Sequence, residues 1–223
     1  YIPWDDDVDI MLPRPDYNRF LKEFDGQYPH LRIQNAFTDP EYILPFSKVI
    51  DDRTILEEKV SEKEIRKSGV FIDVFPVDGL PSEKELDRFC KKIAYIRKPM
   101  IYTSQADDSF VRFPFLKFIC RLLINHDKAV VWSERAMSSI DFRTATYAGA
   151  ISGRYGEKEH MPSDVFHEYS DIAFVGRTYR CISAYDGYLK KHYGDYMQLP
   201  PEYMRVRAHN FSAWWKTGAK RTI

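Results

Sequence analysis

The sequence predicts an α+β protein, with a β-sheet core in residues 1–80 and a mainly helical lobe carrying one β-hairpin in residues 81–223, packed on that core. Two observations predict it. β-Branched and aromatic runs crowd the first 80 residues, at 8–12, 42–60 and 69–75, whereas long 3.6-residue periodicities dominate from Ser82 to Ser139.

The elements follow in chain order. Val8 to Leu12 alternates up to Pro13, and Pro15 opens a helical pattern in which Tyr17, Phe20, Leu21 and Phe24 share one face. Tyr42–Ile50 and Thr54–Val60 read as two strands of a hairpin across the turn-prone Asp51-Asp52-Arg53. Gly69–Phe75 is a further strand, expected to stop at Pro76 and the Asp78-Gly79 turn. Ser82-x-x-Glu85 is a capping box ahead of an amphipathic helix reaching about Met100. A second helix is expected within Phe110–Asn125, with Pro114 in its first turn, and a third over His126–Ser139. Gly149–Pro162 reads as loop, and Ile172–Val175 with Thr178–Ile182 as a hairpin across Gly176-Arg177. Tyr193-Gly194-Asp195-Tyr196 is expected to pack the C-terminal lobe onto the core, with Gly194 in a tight turn.

Composition narrows the function. The 223 residues are 44% apolar and 30% charged, and 33 Lys plus Arg balance 33 Asp plus Glu. That balance supplies no general positive field for nucleic acid, so specificity has to come from a local site. Cys90, Cys120 and Cys181 are odd in number and far apart, which fits neither a disulfide framework nor a zinc site and predicts a reducing, cytoplasmic setting. No signal-peptide pattern opens the sequence. The most apolar stretch, Phe113–Ile124, is too short to span a bilayer and carries Lys117 and Arg121, which leaves peripheral contact with the inner membrane face open.

The informative segment is Pro3-Trp4-Asp5-Asp6-Asp7-Val8-Asp9-Ile10. On a strand, Asp5, Asp7 and Asp9 would project to one side, with Asp6, Val8 and Ile10 on the other. Three carboxylates on one face repel each other unless a cation lies among them. Hard oxygen ligands select Mg²⁺ or Mn²⁺, and Mg²⁺ commonly binds through carboxylates together with substrate phosphates. A solvated acidic loop is the plainer alternative. Against it stands a second acid, Asp73, inside the otherwise apolar Phe71-Ile72-Asp73-Val74-Phe75, where a lone carboxylate is expensive without a partner. Lys48, between Phe46-Ser47 and Val49-Ile50, is likewise better explained by a phosphate or by the acids than by packing.

A D-x-D pair on one strand with a single acid on its neighbour resembles the carboxylate triad of the nucleotidyltransferase fold. The wider sequence resembles the LicD family of phosphocholine transferases, with fukutin-related proteins as distant relatives. The matching segments are Ile2–Ile10, Phe71–Gly79 (FIDVFPVDG), Tyr193–Pro201 (YGDYMQLPP) and Lys48–Thr54 (KVIDDRT), which together span nearly the whole chain. Family members carry a helix and a Gly-containing turn ahead of the first acidic strand, whereas this sequence starts just before that strand. Part of the donor site is therefore expected to be missing.

The resemblance implies a mixed-sheet nucleotidyltransferase-type core and a CDP-choline donor. The acceptor it implies is a sugar hydroxyl of a bacterial surface glycan: a teichoic acid, lipopolysaccharide or capsule precursor, possibly lipid-linked. Asp7, Asp9 and Asp73 would be catalytic, and with Asp5 would hold the ions, while Asp6 would be structural. Lys48, Arg205, Arg207 and His209 would bind the donor, although an exposed basic chain end is the plainer reading of the last three. A choline cage would draw on Tyr1, Trp4, Tyr193, Tyr196, Trp214 and Trp215. The same triad would also serve transfer of a nucleotide or of another alcohol phosphate, and a noncatalytic metal-binding module is the reading from a different class.

Overall fold

The computed structural model describes residues 6–24, 26–59, 65–106, 113–206 and 209–217. Its centre is a mainly antiparallel sheet built on two long strands, β3 (Ser47–Lys59) and β4 (Ile65–Leu80). The first strand, β1 (Asp9–Pro13), runs parallel to β4, and β2 (Leu31–Gln34) runs antiparallel to β3. Two short strands, β5 (Tyr147–Gly149) and β6 (Met161–Pro162), continue the sheet beyond the end of β4. Five α-helices occur among the described residues: α1 (Arg14–Phe24), α2 (Glu83–Thr103), α3 (Pro114–Leu123), α4 (His126–Met137) and α5 (Tyr185–Tyr193). A separate hairpin joins β7 (Tyr169–Phe174) to β8 (Arg177–Ile182), and β9 (Phe211–Trp215) returns to pair with β3. The α+β class is as expected. The sheet, however, draws β5, β6 and β9 from the second half of the chain.

Several expectations hold. The apolar face of α1 packs Tyr17, Phe20, Leu21 and Phe24 onto Val49 and Val74 of the sheet. The late hairpin forms, with its turn one residue earlier than expected: Val175 and Gly176, both at positive φ (47° and 72°), make the two-residue turn, and Arg177 already pairs with Phe174. Gly194 has φ 70° and ends α5.

Two expectations are corrected. Asp51-Asp52-Arg53 is not a hairpin turn, because β3 runs through it. Arg53 folds back onto its neighbour (Arg53 Nη2–Asp51 Oδ2 2.6 Å), and Thr54 Oγ1 donates to the Asp51 carbonyl (2.7 Å) while accepting the Val70 amide (2.7 Å). Between the pairs Asp51↔Val70 and Leu56↔Ser68, residues 52–55 of β3 oppose Gly69 alone, so the chain makes a bulge. A side chain at Gly69 would collide with the Asp51 carbonyl and Ile50. Nor does β4 end at Pro76. The missing amide of Pro76 falls between Val74, the last partner of β3, and Asp78, the first partner of β5, so no ladder bond on that edge is lost.

Asp78 is buried rather than in a turn. Arg14 donates to it through two nitrogens, Nε to Oδ1 and Nη2 to Oδ2 at 2.6 Å each, and through Nη1 to Glu134 Oε2 on α4 at 2.8 Å. Burial disfavours the Arg14 charge, but these two carboxylates more than compensate and raise its pKa above the usual value. This cluster ties α1, β4 and α4 together. In the helical layer, Met100, Ala129 and Val130 join α2 to α4. No described helix is long and apolar enough to cross a membrane.

Candidate active site

The site is set by register. Asp9 of β1 lies opposite Asp73 of β4, Asp73 lies opposite Lys48 of β3, and Lys48 lies opposite Gln34 of β2. Residues in register on neighbouring strands project from the same face, so the four form one row across the sheet. The opposite face, carrying Val49 and Val74, is the one that packs against α1, which leaves the row on the other side. Lys48 Nζ donates to Asp73 Oδ1 at 2.5 Å and sits 3.4 Å from the centroid of the Phe71 ring. Burial raises the pKa of Asp73 by more than the Lys48 charge and hydrogen bond lower it. The Asp73 amide donates to the Val8 carbonyl at 3.1 Å, fixing the acidic segment against β4.

Upstream of Asp9 the strand alternation stops. β1 begins at Asp9, and residues 6–8 lie outside any strand. Asp6 therefore does not simply oppose Asp7. Both reach His209, whose Nδ1 is 3.0 Å from Asp6 Oδ1 and 3.8 Å from Asp7 Oδ2. The Asp6 side chain is 8% exposed and that of Asp7 28%, so the acid expected to be structural is the deeper of the two. Burial would raise the Asp6 pKa, but the hydrogen bond and charge of His209 outweigh it and hold the carboxyl below its usual value. For His209, burial lowers the imidazole pKa, yet Asp6, Asp7 and Glu58 together raise it above the ordinary range. Asp6, Asp7, Glu58 and His209, with Phe71 and Phe211, line a cleft of about 70 Å³.

Two carboxylates and an imidazole make a donor set that a divalent cation could take. Ligand atoms of Asp6, Asp7 and His209 all lie within 4.8 Å of one another, the arrangement of this kind found among the described residues. Asp6 Oδ2 is buried with no hydrogen-bond partner among them, as a lone pair reserved for an ion would be.

The other sequence candidates scatter. Asp5 and Arg207, with Tyr1 and Trp4, lie outside the described residues. Arg205 is exposed and donates through Nε to the Pro200 carbonyl at 2.8 Å. Tyr193 and Tyr196 bond to Tyr155 and Asp186 and do not line the cleft. Trp214 and Trp215 pair along β3 opposite Ile55 and Thr54. Sequence reasoning missed Glu58, Phe71 and Phe211 as cleft residues and Asp6 as the partner of His209. No local pattern marks the meeting of residues 6 and 209, which the pairing of β9 with β3 brings about.

No protein-family model and no solved structure matches the chain. It is 28% identical over 216 residues to the lipopolysaccharide cholinephosphotransferase LicD of Haemophilus influenzae, a transferase, covering 91% of this chain and 77% of that protein. This relationship, spread over nine-tenths of the chain, supports its assignment to the LicD family, whose motifs the sequence resembles.

Proposed function

We propose that the protein transfers phosphocholine from CDP-choline to a sugar hydroxyl of a bacterial surface glycan, releasing CMP, with Mg²⁺ or Mn²⁺ as cofactor. The observation carrying this reading is the Asp9–Asp73–Lys48 row beside the Asp7 cleft, and the similarity to a lipopolysaccharide cholinephosphotransferase supports it. The acceptor oxygen bonds to the choline-bearing phosphorus, the bond from that phosphorus to the pyrophosphate bridge breaks, and CMP leaves with the electron pair. Asp73 takes the acceptor's proton. Lys48 balances the charge of Asp73 and, one side-chain reach away, meets the donor phosphates. Asp7, Asp9 and Asp73, with Asp5, and with Asp6 and His209 alongside, are the groups that would hold a divalent ion. When bound, such an ion would neutralise phosphate oxygens and lower the acceptor hydroxyl's pKa.

Calorimetry with Mn²⁺ and CDP-choline, CDP-ethanolamine or UDP-sugars tests the reading. Mn²⁺-dependent binding selective for CDP-choline is expected, followed by CMP release on addition of lipopolysaccharide. Selective binding of a different nucleotide would move the assignment to another alcohol-phosphate or nucleotidyl transfer on the same acids. Metal binding indifferent to every nucleotide would leave a noncatalytic module.

A further inference from the structure

The helix α3 is packed inside out. A charged residue faces inward: Lys117 is 3% exposed and donates through Nζ to the Ala106 carbonyl, while the exposed Arg121 reaches back to donate to the Ser104 carbonyl at the end of α2. The apolar side faces solvent, with Phe115, Phe118, Leu122 and Leu123 between 62% and 77% exposed. The spacing 115, 118, 122 puts these residues on one helical stripe. On the other flank of α3, an apolar groove of about 610 Å³ opens between the three helices, lined by Phe113, Leu116 and Cys120 of the α3 region together with two exposed aromatics, Tyr95 of α2 and Trp132 of α4. Apolar surface this concentrated on one element ordinarily marks a docking face.

Charge decides what docks there. In a chain whose net charge is zero, Arg88, Lys91, Lys92 and Lys98 of α2 and Arg121 of α3 are exposed cations. Lys91, Lys92 and Lys98 are exposed within one turn either side of Tyr95, and Lys98 Nζ lies 5.3 Å from the Tyr95 ring. A second copy docking through the same patch would bring this basic border against itself. A convex Phe/Leu stripe, aromatic flanks and a basic rim are instead what an anionic bilayer surface accepts. Apolar side chains then enter the acyl boundary, aromatic rings lie at the headgroups, and lysines meet lipid phosphates.

We infer that the α2–α3–α4 face is a peripheral membrane-docking surface for anionic phospholipid. It stands independently of the reaction assigned to the cleft. The test is co-sedimentation of the full chain with vesicles of mixed phosphatidylglycerol and phosphatidylcholine, and with vesicles of phosphatidylcholine alone. Light scattering without lipid and a thermal melt accompany each variant. Expected is binding to the anionic vesicles that weakens with salt, and at least a roughly tenfold loss in Phe118→Glu/Leu122→Glu, whose sites are exposed enough to spare the fold. Lys92→Glu/Lys98→Glu, which keeps the apolar stripe, should lose several-fold and so holds the test if the first variant folds poorly. Absence of binding to anionic vesicles, equal binding to both vesicle types, or undiminished binding by the charged variants overturns the inference. So does a lipid-free dimer that Phe118→Glu/Leu122→Glu dissolves, since the face would then be an interface between copies.

Discussion

Asp73 and Asp78 sit five residues apart on β4, each paired with a cation, and they differ in nearly everything else. The odd spacing sends them to opposite faces. Asp78 meets a guanidinium through two parallel bonds, is 1% exposed, and has a second carboxylate, Glu134, closing the cluster. Asp73 has a single contact with a lysine, is 14% exposed, and lies beside a second acid, Asp9, next to a cleft lined by three more, Asp6, Asp7 and Glu58. A fully satisfied ion pair locks elements together. An ion pair with spare lone pairs and crowded like charges is a poor lock but a usable binding site. The pairing of Lys48 with Asp73 bears on both roles, because a purely structural acid would show the same contact.

Breaking Asp78 should have the largest effect. Asp78→Ala strands the buried Arg14 and is expected to lower stability by about 3–5 kcal/mol in a urea melt, with turnover per folded molecule retained. If it instead abolished turnover at unchanged stability, the division between the two aspartates would be lost.

Asp73→Asn should do the reverse. Removing one preorganised charge at the reacting centre is expected to cost roughly a hundredfold in kcat. Stability should fall less than in Asp78→Ala, since Lys48 is not fully enclosed and the Asn side-chain oxygen can still accept its hydrogen bond. A destabilisation matching that of Asp78→Ala, with near-normal kcat, would make Asp73 a second structural acid.

Lys48→Gln sharpens the contrast further. If Lys48 serves the donor phosphates as well as Asp73, KM for the donor should rise by roughly tenfold, the scale of a charge-assisted hydrogen bond, with kcat affected less. An effect on kcat alone would confine Lys48 to Asp73.

The smallest expected effect is a titration. In the metal-free protein the His209 imidazole should titrate above its usual range by NMR, and Asp6→Asn should bring it back toward that range. The sign follows from linkage. A raised folded pKa means the His209 contribution is fully present below its unfolded value of 6.5 and is lost as pH rises through the folded value. The lowered pKa of Asp6 means its contribution is present above 3.8 and lost as pH falls through the folded value. The contact between residues 6 and 209 should thus be strongest between these two values, and a His209 midpoint indifferent to Asp6→Asn would remove it.

Legibility followed locality. Tyr17, Phe20, Leu21 and Phe24 announced α1, and the turn around Gly176 announced its hairpin, because a face or a turn is decided by residues within a few positions of each other. Asp73 and Lys48 stood out for a related reason: a charge inside an apolar strand needs a partner whatever the fold. The hairpin expected at Asp51-Asp52-Arg53 failed because side-chain bonds from Arg53 and Thr54, and the bare Cα of Gly69 opposite, turned a turn-prone segment into a bulge.

By itself, then, the sequence determined the α+β class, most helices, and the need of Asp73 and Lys48 for counter-charges, since each rests on local periodicity or on the cost of burying a charge. Only the tertiary structure decided which charges meet. Asp9, Asp73 and Lys48 share a row through the registers of three strands, Asp78 went to Arg14 and Glu134, and Asp6 found His209 across the length of the chain. The outward stripe of α3 was decided there too, because periodicity defines a helix's apolar face but not whether that face turns to the core or to solvent.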